Sequence, residues 1–407
     1  MNHRVVVTGM AGISPLGNDW ATIRDHLGAY RNAIVRMAEW DDYDGLNTRL
    51  GAPAAPFDLS DRYNRKSTRS MGRVALLATR ATELALIDAG LLDDPLVTSG
   101  RMGVSFGSSA GTTSAIGDFG RMIEERTTRG INATTYIKMM AHTAPVNIGV
   151  FFGLTGRVIT TSSACTSGSQ GIGYAYEAIK SGRQTAMVAG GAEELCATEA
   201  AVFDTLFATS VRNDTPNLTP RPFDAARDGL VIGEGAGALI LEEREHALAR
   251  GATIYAELVG FGTNSDGTHV TQPNAATMKV AMELALQDAN LEPSDIGYVN
   301  AHGTATQQGD LAETQATSAL FGSRMPISSL KSYMGHTLGA CGALEAWFSI
   351  EMMREGWFAP TINLGEVDPQ CGPLDYIRGE GRRIDCEYIM TNNFAFGGIN
   401  TSLIFKR

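Results

Sequence analysis

The sequence predicts an α/β fold built of two similar halves, and three observations carry that prediction. Short β-branched runs alternate with longer stretches whose apolar residues recur every three or four positions. A comparable succession starts again after residues 251–253. No low-complexity tract or long linker interrupts the chain, so the halves are expected to form one tightly joined body, divided as 1–252 and 253–407.

Taken in order, residues 4–9 read as a buried strand entering a turn at Gly9. Residues 102–106, 185–189 and 236–241 read as further strands, and 70–89 and 171–180 as helices. In the second half, 256–261 and 296–301 are predicted strands around a helix at 274–289. Residues 390–396 and 402–405 close the pattern as strands. Sheets covered by helices on both faces follow from this alternation.

Composition narrows the function classes. The 407 residues are 43% hydrophobic and 19% charged, which suits a large globular core. A net charge of −11 disfavours nucleic acid or an anionic membrane as a partner of the whole surface. The five cysteines are odd in number and scattered, which speaks against a disulfide framework and for a reducing, cytoplasmic setting. No secretory leader or membrane-spanning stretch is visible.

The chemistry concentrates at Cys165, within Thr160-Thr161-Ser162-Ser163-Ala164-Cys165-Thr166-Ser167-Gly168-Ser169-Gln170. This thiol lies where an extended segment gives way to a helix. There the dipole and free backbone N–H groups favour a thiolate and can hold an oxyanion. The competing reading is a small buried hydrophobe. Two Gly-flanked histidines shift the balance: His302 at the end of a predicted strand, and His336 before an apolar helix. His3, His26, His142, His246 and His269 read as structural. Two histidines and a cysteine could bind zinc, but none stands at the close spacing of common sites, so no metal is expected. Cysteine–histidine hydrolysis would leave the second histidine and Lys331 unexplained.

The chain resembles the elongating β-ketoacyl-acyl-carrier-protein synthases. The resemblance runs from Val7-Thr8-Gly9-Met10-Ala11-Gly12 to Asn392-Asn393-Phe394-Ala395-Phe396-Gly397-Gly398. Between these lie Ala164-Cys165-Thr166-Ser167-Gly168, Arg221-Pro222-Phe223-Asp224, Arg227-Asp228-Gly229, His302-Gly303-Thr304, Gly309-Asp310, Lys331 and Gly335-His336. It implies a thiolase-like duplicated fold in five layers, normally a homodimer, with a heterodimer of related subunits as the other possibility. Cys165 would accept the acyl group, and the N–H groups of Cys165 and Phe396 would form the oxyanion hole. His302 and His336 would hydrogen-bond the malonyl thioester as carbon dioxide leaves. Lys331 and Glu313 would support them, Lys331 acting on the histidine five positions on.

The resemblance further implies that Thr304 and Thr306 bind the phosphopantetheine arm, that Phe394 and Phe396 gate the nucleophile, and that Ala110 lines the acyl pocket. Substrates would arrive on acyl-carrier protein, with no separate cofactor. Arg62, Arg65, Lys66 and Arg69, followed by Arg73, form a basic run on an acidic chain, read either as a solvated helix face or as a docking patch for that carrier. A chain-length-factor type of partner subunit is the alternative class, and the presence of Cys165 with both histidines argues against it. Gln307, Ala395 and Ile399 depart from the family's usual Pro, Gly and Thr. They leave the chemical groups in place and point towards a specialised pathway.

Overall fold

Apolar runs this continuous form strands covered on both faces. A computed structural model describes residues 2–407. The first five strands of its main sheet are β1 (Val5–Ile13), β2 (Met102–Gly107), β3 (Val158–Thr161), β4 (Ala186–Glu193) and β5 (Gly235–Glu243). Six more follow: β6 (Ala256–Ser265), β7 (Ile296–Asn300), β8 (Pro326–Ser328), β9 (Asp375–Tyr376), β10 (Tyr388–Ala395) and β11 (Ile399–Lys406). Across the sheet they run β9-β8-β7-β10-β11-β6-β1-β5-β4-β2-β3.

The sheet has two wings, joined where β1 pairs with β6 over Val5, Val6 and Val7 alone. Outward from that seam one wing reads β1-β5-β4-β2-β3 and the other β6-β11-β10-β7-β8, with β9 added at the edge. In each wing the first two pairings are antiparallel and the next two parallel. Strand for strand, the order and direction of the first wing recur in the second.

The helices that matter for the site are α1 (Arg73–Asp88), α2 (Thr113–Glu125), α3 (Ser167–Lys180), α4 (Ala197–Asp204), α5 (Ala275–Ala289), α6 (Gln307–Phe321) and α7 (Cys341–Glu355). Helices α3 and α7 pack on each other and touch strands of both wings, whereas α1 covers β1, β4 and β5 and α5 covers β6 and β11. Outer helices, wing, paired helices, wing and outer helices make five layers. One apolar cluster runs through the middle, from Val5 and Leu239 through Ile172 and Ala343 to Phe348 and Leu403. The central contact is close: a Cβ on Gly191 would collide with the Gly339 carbonyl and the Gly168 backbone. No helix among the described residues is long and apolar enough to cross a membrane.

Two local expectations need correction. Gly9 does not open a turn; β1 continues to Ile13 past a bulge between Val7 and Gly9. Glycine is required there because a Cβ would meet the Ala85 carbonyl of α1. The basic run is not one helix face either. Arg62 precedes a one-turn helix, Arg65–Thr68, capped by the Asn64 side chain, and Arg73 begins α1.

Candidate active site

Why so many hydroxyls surround Cys165 is evident from their partners. Thr161 Oγ1 donates to the Ser167 carbonyl (2.7 Å), and Ser167 Oγ accepts from the Ser163 N–H (3.0 Å) and donates to the Ala164 carbonyl (2.7 Å). Thr166 Oγ1 closes back on the Ser163 carbonyl at 2.7 Å. These bonds hold a tight elbow between β3 and α3 in which Ala164 takes φ +50°, a conformation that costs a non-glycine residue about 1 kcal/mol or more. The elbow delivers Cys165, 4% exposed, to the base of a cavity of about 360 Å³.

His302 reaches the same cavity from the loop after β7. Glu313 on α6 fixes that loop by accepting the N–H groups of His302 and Gly303, both at 2.7 Å. Asp310, one turn earlier, accepts from Ala305 (3.1 Å) and Phe223 (2.7 Å) and lies 3.7 Å from buried Arg227, which also pairs with Asp368 at 2.7 Å. His336 is anchored by backbone bonds to Val231 (2.7 Å) and Gly233 (2.9 Å).

The three groups converge. His336 Nε2 lies 3.0 Å from Cys165 Sγ, and the two imidazoles meet edge to face with centroids 5.1 Å apart. One side-chain donor atom from each of Cys165, His302 and His336 falls within 4.8 Å of the others. The backbone N–H groups of Phe396 and Cys165 face the sulfur. Such a donor set could in principle ligate a soft cation, but the Lys331 ammonium, 3.3 Å from His302 Nδ1, opposes a second positive charge there.

Lys331 therefore touches His302 directly, while on His336, the histidine five residues further along, it acts through its charge alone. The short helix Lys331–Met334 ends at Gly335 (φ +67°), which turns His336 away from the lysine. An ammonium donating to His302 Nδ1 leaves the imidazole proton on Nε2, pointing a donor away from Lys331. Lys331 is also bonded to Glu345 of α7, whose other oxygen accepts from Asn393 Nδ2 at 2.8 Å. Glu345 and Asn393 escaped the reading of the sequence. The available signal was a charged residue, fully buried, in the apolar helix that follows His336.

Burial dominates the electrostatics. It pulls His302 and His336 well below the usual imidazole range, and the Lys331 charge adds to the effect, so both rings are neutral near pH 7. Burial also pushes the Cys165 thiol up to about 11, only partly opposed by Lys331 and the two N–H groups. The resting nucleophile is a thiol and not the dipole-stabilised thiolate expected from its place before a helix. Glu313 is raised to about 8 by burial against its two backbone donors. For Lys331 burial works the other way, yet Glu345, with Cys341 and Glu313, outweighs it and keeps the ammonium charged.

Thr304 and Thr306, hydroxyls 2.9 Å apart, line the cavity, as do Glu313, Phe394 and Phe396. Phe394 stands edge-on to His302, and Phe396 packs on Phe203 with centroids 5.0 Å apart. Ala110 is half-buried on the loop after β2 and does not line this cavity. Arg62, Arg65, Lys66 and Arg69 are exposed, Arg62 pairing with Asp93 at 2.8 Å. Leu206, Val270 and Phe207, the last 88% exposed at φ +53°, form an apolar rim that the sequence did not announce.

A buried thiol, two neutral imidazoles and two backbone N–H groups at the sulfur, set on this duplicated framework, fit an acyltransferase of thiolase-like fold. Residues 2–247 match the Beta-ketoacyl synthase N-terminal domain, and residues 255–365 match its C-terminal domain. The chain is 38% identical to 3-oxoacyl-[acyl-carrier-protein] synthase 2 of Vibrio harveyi, over all of this chain and 99% of that one. A beta-ketoacyl synthase from Burkholderia phymatum STM815 superposes with a TM-score of 0.98 at 62% identity, covering 100% of this chain and 99% of that one. A type II polyketide ketosynthase solved with its acyl-carrier protein superposes at 0.89 and 28% identity, with full coverage of both chains. The chain belongs to the β-ketoacyl synthase family.

Proposed function

We propose that Cys165 carries the acyl group and that His302 and His336 activate the malonyl unit in a decarboxylative Claisen condensation on acyl-carrier protein. One observation carries the reading: the sulfur and both neutral rings converge at the base of one buried cavity. A phosphopantetheine arm passing Thr304 and Thr306 brings a thioester carbonyl to Sγ. As sulfur attacks, the N–H groups of Cys165 and Phe396 hold the oxyanion, and neutral His336, 3.0 Å away, takes the thiol proton. That proton leaves on the departing carrier thiol. Malonyl-carrier protein then enters and its thioester oxygen accepts from His302 Nε2–H and, once the His336 proton has moved from Nδ1 to Nε2, from His336. Breaking the bond to the carboxylate releases carbon dioxide and leaves an enolate. Its carbon attacks the acyl-enzyme and expels the Cys165 thiolate, which takes a proton from solvent to restore the thiol. Two donors on one developing charge in a dry site are worth about 3 kcal/mol each.

The exposed cations Arg65, Lys66 and Arg69, beside the Arg62–Asp93 pair, supply positive charge on an otherwise acidic protein and suit an acidic carrier. A homodimer is supported by the free edge of β3, where Val158 is half exposed, and by α2, which leaves Ile116 and Ile123 uncovered. The division into 1–252 and 253–407 is supported by β6 starting at Ala256, just past the matched N-terminal domain.

The test is incubation with acyl- and malonyl-carrier protein, following acyl transfer to Cys165 and carbon dioxide release separately. Both half-reactions and a β-ketoacyl product are expected. Acyl transfer without condensation would indicate a subunit that needs a partner.

A further inference from the structure

We propose that helix α4 carries an acyl-chain subsite centred on Glu199, selecting acyl groups that bear a hydrogen-bond donor remote from the thioester. The proposal rests on Cys165 being the acyl carrier. Ala197, Ala200 and Phe203 of α4 pack into the apolar cluster that contains Cys165, Leu338 and Cys341. Phe203 lines the cavity, and Glu199, four residues earlier, lies one turn further along the same helix face.

Glu199 is 7% exposed, and neither carboxyl oxygen has an N–H or O–H partner; the Cys196 thiol, a weak donor, is the group that reaches it. Its neighbours are satisfied. Glu193 accepts from Ser108 Oγ (2.9 Å), Ser109 N–H (2.7 Å) and Gly339 N–H (3.1 Å). Glu194 accepts from the Thr113 N–H (2.8 Å) and hydroxyl (2.7 Å), and the Cys196 thiol pairs with Thr198 Oγ1 at 3.0 Å. Glu193 bridges the two regions, since its charge acts on both the Cys165 thiol and Glu199. Nearer the nucleophile, the Ser163 hydroxyl is likewise buried without a partner. Neither Glu199 nor Ser163 is held by a strong hydrogen bond of the fold, and both belong to segments that frame Cys165.

Burial, then Glu193, raises the Glu199 pKa well above the carboxylate range, so the group is a neutral acid that both donates and accepts. A purely alkyl chain passing it would leave that acid unpaired in an apolar setting, whereas a chain carrying a hydroxyl or amine would satisfy it. Sites built on a buried polar group discriminate against analogues that cannot bond to it far more sharply than apolar pockets discriminate by size.

The experiment measures acylation of Cys165 from carrier-bound plain acyl chains and from the same chains with a terminal hydroxyl or terminal amine, over a series of medium lengths. The wild-type protein is expected to favour a donor-bearing chain at one or more lengths by about tenfold or more in kcat/KM. Glu199→Gln should keep that preference and Glu199→Leu should reverse it. The hydroxyl and amine arms tell a neutral donor from a cationic one. Equal or faster acylation by plain chains at every length would overturn the subsite. So would an unchanged ratio in Glu199→Leu, including the case where that variant instead weakens a dimer, which would assign the carboxyl to a neighbouring subunit. If Glu199→Leu does not fold, the wild-type ratio and Glu199→Gln decide the matter. A protein that condenses plain chains without preference refutes only the subsite; one never acylated at Cys165 refutes the reading on which it rests.

Discussion

The elbow after β3 and the turn after β8 occupy the same station in the two wings, and they differ in everything but backbone. In the first, Ala164 at φ +50° opens a single 3-10 turn that leads into α3; in the second, Leu338 at φ +45° opens one that leads into α7. Where the first turn carries Cys165, the second carries Gly339, whose lack of a side chain lets Glu193 approach its N–H. The second wing instead spends a longer loop on Lys331 and His336 before its turn. The loops after β2 and β7 diverge in the same way. One holds Ser108 and Ser109 on Glu193, the other holds His302 on Glu313. On the mechanism proposed above, a duplicated scaffold has divided the labour: one wing bears Cys165 as nucleophile, the other the two histidines as donors to an enolate.

Removing the nucleophile tests this division hardest. Cys165→Ala should eliminate acyl transfer, by about a thousandfold or more, with no acylated protein visible by mass spectrometry. Residual acylation would move the nucleophile elsewhere.

The histidines should separate by what they touch. His302→Ala is expected to slow carbon dioxide release by about a hundredfold or more while sparing acyl transfer. His336→Ala should slow both steps, because only His336 contacts the sulfur. Equal profiles for the two variants, followed as separate half-reactions, would erase the distinction drawn between them.

Much of this was legible from the chain. Cys165, His302 and His336 stand in motifs whose small flanking residues mark close approach, and the strand–helix alternation shows the fold class. What was illegible depended on partners distant in sequence. Glu345 sits in an apolar helix and Asn393 in the polar stretch Thr391-Asn392-Asn393, and they acquire meaning only through Lys331 and their bond to each other. Gly9 is read as a turn until α1 is seen to press on it. The thiolate expected from the helix terminus fails because burial, invisible in sequence, outweighs Lys331 and the backbone N–H groups at Cys165.

That last point gives a pH signature. With the thiol pushed up to about 11, alkylation of Cys165 by iodoacetamide should rise about tenfold per pH unit through the neutral range. A plateau below pH 8, read by stopped-time mass spectrometry, would mean that Lys331 and the backbone donors prevail over burial.

Smaller effects fall on the supporting groups. Lys331→Met strands the Glu345 carboxylate and should cost about 3 kcal/mol in urea unfolding, while Lys331→Met with Glu345→Leu regains most of that stability. Decarboxylation should stay slow in both, since His302 has lost the ammonium that sets its tautomer. Recovery of activity along with stability would reduce the lysine to a structural role. Smallest of all, Lys66→Glu with Arg69→Glu should raise KM for carrier-bound substrate a few-fold at low salt and leave kcat unchanged.

The division between wings is tested most directly by carbon dioxide release from malonyl-carrier protein in the Cys165→Ala variant, with and without His302→Ala. Release should persist when the thiol alone is gone, because the enolate is stabilised from the other wing, and should collapse when His302 is also removed. Loss of release on removing Cys165 alone, or its persistence in the double variant, would contradict the account.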